Sequence, residues 1–440
     1  MDANTKNNIS IGLDIGTTTI SAAVLDIHTE TVLATCTVPN QSALPSEHPW
    51  EHMQSPDWIW KKVKSLLDTL LQKYTVSSIG VTGQMHGILC TAHDGTVLSP
   101  LYTWQDGRAG QGKDSTCAQI LQKTGYVVPE GYGLATLYHL TLHGQIPVEP
   151  YYCCTIMDYI TMRLCDLARP VMHITNAAAW GLYQHKNMNF DIDALEKLEI
   201  NTDILPEVIA ENRVLGTYRD IPVTVAIGDN QAAFIGSVKE PEHMILVNIG
   251  TGSQISMLSE IPVQDTSGLV ESRPFDGRRY LLSGSALCGG RAYAILENFF
   301  RRYAVTCGLP DTPQYEFMNS LAAEGVKNGS ALSVTTTFCG TRADPCVRGE
   351  VTGIGENNLT PESLAAGVLY GIARELHGMF QMMPVGHILN ITASGNGIRK
   401  NSVLQEVVAD VFGMPVQISA CIEEAACGAA IWSLKNNALK

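Results

Sequence analysis

Ile9-Ser10-Ile11-Gly12-Leu13-Asp14-Ile15-Gly16-Thr17-Thr18-Thr19-Ile20 opens the ordered part of the sequence, and its reading decides the fold. An apolar run, Ile9 to Asp14, ends on one carboxylate. A turn of glycine and hydroxyls follows, Gly16-Thr17-Thr18-Thr19, and a second apolar run continues from Ile20 to Asp26. The pattern predicts strand, tight turn, strand. The same order recurs far downstream: Met244 to Asn248, then Gly250-Thr251-Gly252-Ser253, then Gln254 to Leu258. Two such units predict two related halves, each opening on the same hairpin. Ordinary hairpin turns remain the simpler alternative for either turn alone.

Elements between the hairpins extend the pattern. Ser55-Pro56-Asp57 supplies a helix cap, a proline at the first helical position and an early acid, and Ile59, Val63, Leu66, Leu70 and Tyr74 follow at helical spacing. The next strand, Ser78 to Thr82, runs into Gly83-Gln84-Met85-His86-Gly87. Near the end, Thr360-Pro361-Glu362 opens another helix, an apolar strand spans His387 to Thr392, Ser394-Gly395-Asn396-Gly397 turns, and a helix runs from about Asn401 to Phe412. Strands alternating with helices, and ligand-type residues at strand ends, predict an α/β fold. A boundary is expected within 236–243, giving domains 1–238 and 239–440.

Composition narrows the function classes. The 440 residues are 45% hydrophobic and 16% charged, enough for large cores. The net charge of −14 argues against nonspecific nucleic-acid or anionic-membrane partners. The twelve cysteines show no CxxC pair and no zinc spacing, so buried free thiols are expected. The polar start MDANTKNNIS and the absence of a membrane-length apolar run predict a soluble cytoplasmic protein.

Three groups of residues carry chemistry. The turns at Gly16-Thr17-Thr18 and Gly250-Thr251-Gly252 offer N–H groups and hydroxyls to phosphate oxygens, although neither is a GxxxxGK[ST] loop. Asp14, at a strand end beside such a turn, can hold Mg²⁺ directly or through water. Asp229, in Gly228-Asp229-Asn230 after an apolar strand from Val223 to Ile227, can accept a proton from a substrate hydroxyl, or can simply cap the next helix. Gln84, Met85 and His86, with Trp104, Asp106 and Arg108 of Thr103-Trp104-Gln105-Asp106-Gly107-Arg108, suit a polyhydroxylated ligand. Amide and charged groups pair with hydroxyls, and indole packs on the C–H face of a sugar. Cys339 to Arg348 reads as a surface loop.

Together these residues resemble the FGGY carbohydrate kinases over almost the whole chain. DIGTTT at Asp14 to Thr19 is similar to the family's first phosphate motif, NIGTGS at Asn248 to Ser253 to its second, and GDN at Gly228 to Asn230 to the segment holding its catalytic base. Ala393 to Asn401 is similar to the adenosine motif, with Ser394-Gly395-Asn396 where a glycine triplet is usual. Gly289-Gly290 matches a further nucleotide-side glycine segment. The resemblance implies two actin-like, ribonuclease-H-like domains with a nucleotide and sugar cleft between them, ATP and Mg²⁺ as cofactors, Asp229 as base, and Gly289, Gly395, Asn396 and Gly397 at the nucleoside. TWQDGR, GYGLAT at Gly131 to Thr136 and NAAAWG at Asn176 to Gly181 are most similar to members acting on sedoheptulose. Met157-Asp158-Tyr159 departs from a Lys-Asp-Tyr common in the family. The implied reaction is phosphorylation of a ketose, sedoheptulose first, at its terminal primary hydroxyl, with xylulose, ribulose or a polyol as rival substrates. A non-catalytic sugar sensor would not need Asp14, both turns and Asp229. An actin-like ATPase working on a protein would not need the sugar-type loops. A homodimer is compatible with a chain of this size.

Overall fold

The computed structural model describes residues 9–434 except 27, 264–266, 343 and 385. The polar start at 1–8 lies outside the described residues. The chain forms two compact units: Met1–Gly236 with Pro274–Arg278 and Glu423–Lys440, and Ser237–Arg273 with Arg279–Ile422.

The sheet of the first unit runs Val214–Tyr218, Ile221–Thr224, Ser78–Gly83, Ile9–Ile15, Thr19–Asp26, Thr31–Pro39. Ile9–Ile15 pairs antiparallel with Thr19–Asp26 and parallel with Ser78–Gly83. The sheet of the second unit runs Val270–Pro274, Tyr280–Ala286, Ser253–Ser259, Met244–Ile249, Asn390–Ser394, Val416–Ile418. Met244–Ile249 again pairs antiparallel with the strand after it and parallel with a distant one. Read from opposite ends, the two sheets share the order and direction of five strands, from Thr31–Pro39 to Ile221–Thr224 in one and from Tyr280–Ala286 to Val416–Ile418 in the other, so the repeated Gly-Thr hairpin marks a repeated topology. Asp14 and Asn248 occupy the same register position, Asp14 between Ser21 and Thr82, Asn248 between Gln254 and Ser394. Only the first of these equivalent positions carries a charge.

The cap signals act as the sequence implies. Ser55 accepts from the Trp58 N–H at 3.3 Å and starts Pro56–Leu71. Thr360 accepts from the Ser363 N–H at 3.2 Å and starts Pro361–Gln381. Ile59, Val63, Leu66 and Leu70 bury against Ile11, Leu13 and Ile79. A second core in the same unit gathers Ile88, Leu134, Tyr138, Ile174 and Trp180. From it hang the loops the sequence marks for a sugar.

Three local differences from the sequence reading follow from competing interactions. The expected strand Val223 to Ile227 is regular only to Thr224; beyond it the Val225 and Ile227 N–H groups still reach the Arg213 and Val81 carbonyls, while the Val225 and Ile227 carbonyls accept from the side chains of Trp432 and Thr82. The expected turn after Ser394 is a short helix, Asn396–Arg399, entered through Gly395 at φ +88°. A Cβ at Gly395 would lie 2.6 Å from the Ile249 carbonyl oxygen, so position and conformation both require glycine. The third difference is the closing helix, Glu424–Leu434. It packs in the first unit, although it lies at the end of the second half of the sequence. Gly12 and Gly80 receive it: a Cβ on either would fall within 2 Å of the Ala426 or Ala429 carbonyl oxygen. Ser433 Oγ lies 2.7 Å from Ser10 Oγ and 2.8 Å from Ser78 Oγ, which closes the contact with a buried hydroxyl cluster.

Candidate functional site

The first Gly-Thr turn is tied into the loops around it. The Gly16 carbonyl accepts from Asn40 Nδ2 at 2.7 Å, and the Thr17 carbonyl from Gln54 Nε2 at 2.8 Å. The Thr17 hydroxyl donates to Gln84 Oε1 at 3.1 Å and accepts from Trp104 Nε1 at 3.0 Å. Gln84 Nε2 closes the ring on Gln54 Oε1 at 2.8 Å. The Thr17 side chain thus faces the sugar-type residues Gln84 and Trp104, while Thr18 is exposed. One ring of hydrogen bonds joins a turn expected to hold phosphate to loops expected to hold sugar.

Those loops support one another through contacts that only particular residues allow. His86 sits at φ +72°, stacks on Tyr132 at 4.2 Å, and donates from Nδ1 to the Ala179 carbonyl at 2.6 Å. Trp180 Nε1 donates to the Gly87 carbonyl at 3.0 Å. A Cβ on Gly131 would meet the Trp104 carbonyl oxygen at 2.1 Å, and one on Gly133 the Trp180 ring at 2.6 Å. GQMHG, TWQDGR, GYGLAT and NAAAWG therefore interlock. Trp104 keeps 48% of its surface exposed although its N–H is anchored, which leaves an indole face for a ligand. Met85 is buried under Gly228.

Asp106 and Arg108 differ from the sequence expectation. Asp106 is fully buried and accepts from Arg108 Nε at 2.6 Å, Arg108 Nη2 at 3.0 Å and the His52 N–H at 3.0 Å. Arg108 is 7% exposed and lies over the Tyr102 ring at 4.3 Å. The pair satisfies itself inside the loop and sets the shape of the turn that presents Trp104. Asp106 has no oxygen left for a sugar hydroxyl.

Asp229 is the first residue of the helix Asp229–Ser237 and is half-buried. Its Oδ1 accepts from Asn230 Nδ2 at 2.8 Å. Burial pushes the Asp14 carboxyl up to about 7, and the charges of Asp229 and Glu423 add to the effect. Among the described residues no three side chains group as a ready metal cage. A divalent cation here would take most of its ligands from phosphate and water, as Mg²⁺ commonly does. The acidity of the surroundings suits such a cation.

The raised Asp14 value makes a stability prediction. The folded chain holds this proton more tightly than the unfolded chain, whose carboxyl titrates near 3.8. The stabilisation is complete below about pH 4 and is lost as the pH rises to about 7. Asp14→Asn is therefore expected to melt higher than the unmodified protein at pH 8, both without nucleotide. Asp158, buried and also pushed up to about 7, titrates in both proteins and cancels in the difference. Melting curves from pH 4.5 to 8.5 test this, and a pH-independent difference would contradict it.

The second unit holds a cavity of about 840 Å³. Gly250, Thr251, Gly395, Asn396 and Gly397 line it. Gly252 and Gly289 lie beneath instead. A Cβ on Gly289 would meet the Gly252 carbonyl oxygen at 2.4 Å, so these two let backbones approach rather than touch a ligand. Tyr293, Asn319, Lys400 and Asn401 also line the cavity and were not anticipated. Asn319 Oδ1 accepts from Tyr293 Oη at 3.0 Å and from Asn401 Nδ2 at 3.1 Å, which orients its amide. Asn401 closes the segment Ala393 to Asn401, and this signal could have found it. Tyr293 lies four residues after Gly289 in the same glycine segment, so that signal could have found it, whereas Asn319 lies on a helix with no local motif.

Fold and site chemistry point to a phosphotransferase of small hydroxylated substrates. The model of the FGGY family of carbohydrate kinases, N-terminal domain, matches residues 9–236, and that of the C-terminal domain matches 245–435. The chain belongs to this family and is a sugar kinase with the two-domain actin-like fold. It is similar to sedoheptulokinase of Mus musculus, 28% identical over 98% of each chain. Among solved structures, it resembles the xylulose kinase from Rhodospirillum rubrum with a TM-score of 0.80 and 24% identity, over 96% of this chain and 89% of that one. Plasmodium falciparum glycerol kinase with ADP gives 0.78 and 19%, over 98% and 90%. FGGY kinases are ATP-dependent. No helix among the described residues is long and apolar enough to cross a membrane.

Proposed function

We propose that the chain is a cytoplasmic, ATP-dependent ketose kinase that phosphorylates sedoheptulose on its terminal primary hydroxyl to give the 7-phosphate. The observation that carries this reading is the interlock of GQMHG, TWQDGR, GYGLAT and NAAAWG around one exposed indole face. The similarity to sedoheptulokinase over nearly the full length supports it.

In this reading the sugar packs on Trp104, and Gln84 and His86 fix its hydroxyls. Asp229 aligns the acceptor hydroxyl and takes its proton. A primary alcohol is a weak acid, so the proton moves late, with phosphoryl transfer, and alignment supplies most of the rate. The nucleoside of ATP occupies the cavity lined by Gly395, Asn396 and Gly397. In the second unit Thr251, beside that cavity, offers its hydroxyl to the phosphates, and in the first unit the turn at Gly16 to Thr18 offers N–H groups and hydroxyls of the same kind. Asp14 would hold Mg²⁺ through phosphate and water, and the ion would neutralise charge on the phosphate oxygens. The ring through Thr17 lets a sugar on Trp104 steady the first phosphate turn.

Sugar-dependent ADP release with Mg-ATP, across sedoheptulose, xylulose, ribulose, gluconate and glycerol, tests the substrate. The expected kcat/KM for sedoheptulose exceeds the others by tenfold or more, about 1.4 kcal/mol of transition-state preference. A pentulose or polyol that outruns sedoheptulose would replace it as the substrate.

A further inference from the structure

The segment that carries Asp229 leaves the regular strand after Thr224; its Val225 and Ile227 N–H groups reach the Arg213 and Val81 carbonyls at 2.9 and 3.1 Å, and side chains supply its other partners. The Val225 carbonyl accepts from Trp432 Nε1 at 3.1 Å, and the Ile227 carbonyl from Thr82 Oγ1 at 2.7 Å. The Gly228 N–H, one residue before Asp229, donates to Thr175 Oγ1 at 3.0 Å. That hydroxyl has its own anchor. His173 Nε2 donates to the Ala210 carbonyl at 3.0 Å, so Nδ1 is the acceptor nitrogen. Nδ1 then accepts a hydrogen bond from the Thr175 hydroxyl at 3.0 Å, and a longer one from the Thr175 N–H at 3.4 Å. His173 is fully buried and Thr175 is 1% exposed, so water does not compete. Burial also pushes the imidazole down to about 4, which keeps it neutral and able to accept.

We propose that Thr175, oriented by His173, is a positioning residue for phosphoryl transfer: its hydroxyl fixes the Gly228 N–H and thereby the first turn of the helix that presents Asp229. Each bond in the chain has one direction. Ala210 fixes the tautomer, the tautomer fixes the hydroxyl proton, and the oxygen lone pair is left for Gly228. Thr175 touches no substrate in this role. Its effect therefore falls on turnover rather than on binding. Small misplacements of a reacting group cost large factors in rate.

This inference rests on Asp229 as the base, and the test separates the two. Thr175→Val keeps the shape and removes the hydroxyl; Thr175→Ser restores it. In sugar-dependent ADP release, Thr175→Val is expected to lose about 10- to 100-fold in kcat with the KM for ATP unchanged. Thr175→Ser is expected to stay within about threefold of the parent protein. A Val variant within twofold of the parent, or a Ser variant as slow as Val, would overturn the proposal. Amide hydrogen exchange in the unmodified protein needs no variant. Gly228 is expected to exchange slowly, and exchange as fast as at the exposed Gly112 would overturn the proposal. These readouts concern the relay, while turnover of Asp229→Asn decides the base.

Discussion

Asp229→Asn is expected to fold and to lose about 10²- to 10⁴-fold in sugar-dependent turnover, the usual contribution of a positioned general base. The substitution is nearly isosteric. The Asn230 amide, 2.8 Å from Asp229 Oδ1, finds an equivalent acceptor in the new side chain, so the first helical turn keeps its local bond. What disappears is the capacity to take a proton. An amide oxygen still accepts a hydrogen bond from the sugar hydroxyl, and the KM for sugar should change much less than kcat. The change also removes one of the two charges that raise the Asp14 carboxyl, so that value should fall toward the ordinary carboxylate range. A rate assay with a melting curve checks both points. Turnover within about threefold of the parent, in protein that melts normally, would remove Asp229 from the base role.

The parts of this molecule legible in the sequence are those whose cause is local. Ser55-Pro56 and Thr360-Pro361 announce helix starts, because a cap needs only the next three residues. The two Gly-Thr turns announce equivalent hairpins, because a tight turn is a matter of a few consecutive dihedral angles. The sugar-type loops were legible as motifs, but their joint geometry was not. Gly131 reveals its purpose only against the Trp104 carbonyl, and Asp106 only once Arg108 is seen to fill its hydrogen-bonding capacity from two residues away. The cavity residue Asn319 was illegible for the same reason: its partners Tyr293 and Asn401 lie 26 and 82 residues away. The position of the closing helix was not legible because Glu424–Leu434 reads EAACGAAIWSL, small residues on every face, with no apolar stripe to say which surface it seeks. Its address is written instead in Gly12 and Gly80, more than 300 residues earlier.

That same helix gives the largest expected loss of stability. Gly428 faces the helix Asp229–Ser237 so closely that a Cβ would lie 1.7 Å from the Ala232 carbonyl oxygen and 2.9 Å from the Gly236 nitrogen. Gly236 returns the contact, with a Cβ position 2.0 Å from the Glu424 carbonyl oxygen. All these atoms are backbone, so no side chain can swing aside. Nor can the closing helix retreat, because its other face already presses Ala426 and Ala429 against Gly12 and Gly80. Gly428→Ala must therefore bend a helix or separate the pair, at an expected cost of about 3 kcal/mol. The helix it displaces begins at Asp229, so turnover should fall along with the melting temperature. Gly378→Ala supplies the control. Gly378 is an exposed position inside Pro361–Gln381, and a Cβ there meets nothing within 4 Å. Relief of the glycine penalty should stabilise that helix by about 0.5–1 kcal/mol. Opposite shifts of the two melting temperatures are the expected result. A Gly428→Ala protein as stable and active as the parent would mean that the helix contact is looser than these distances require.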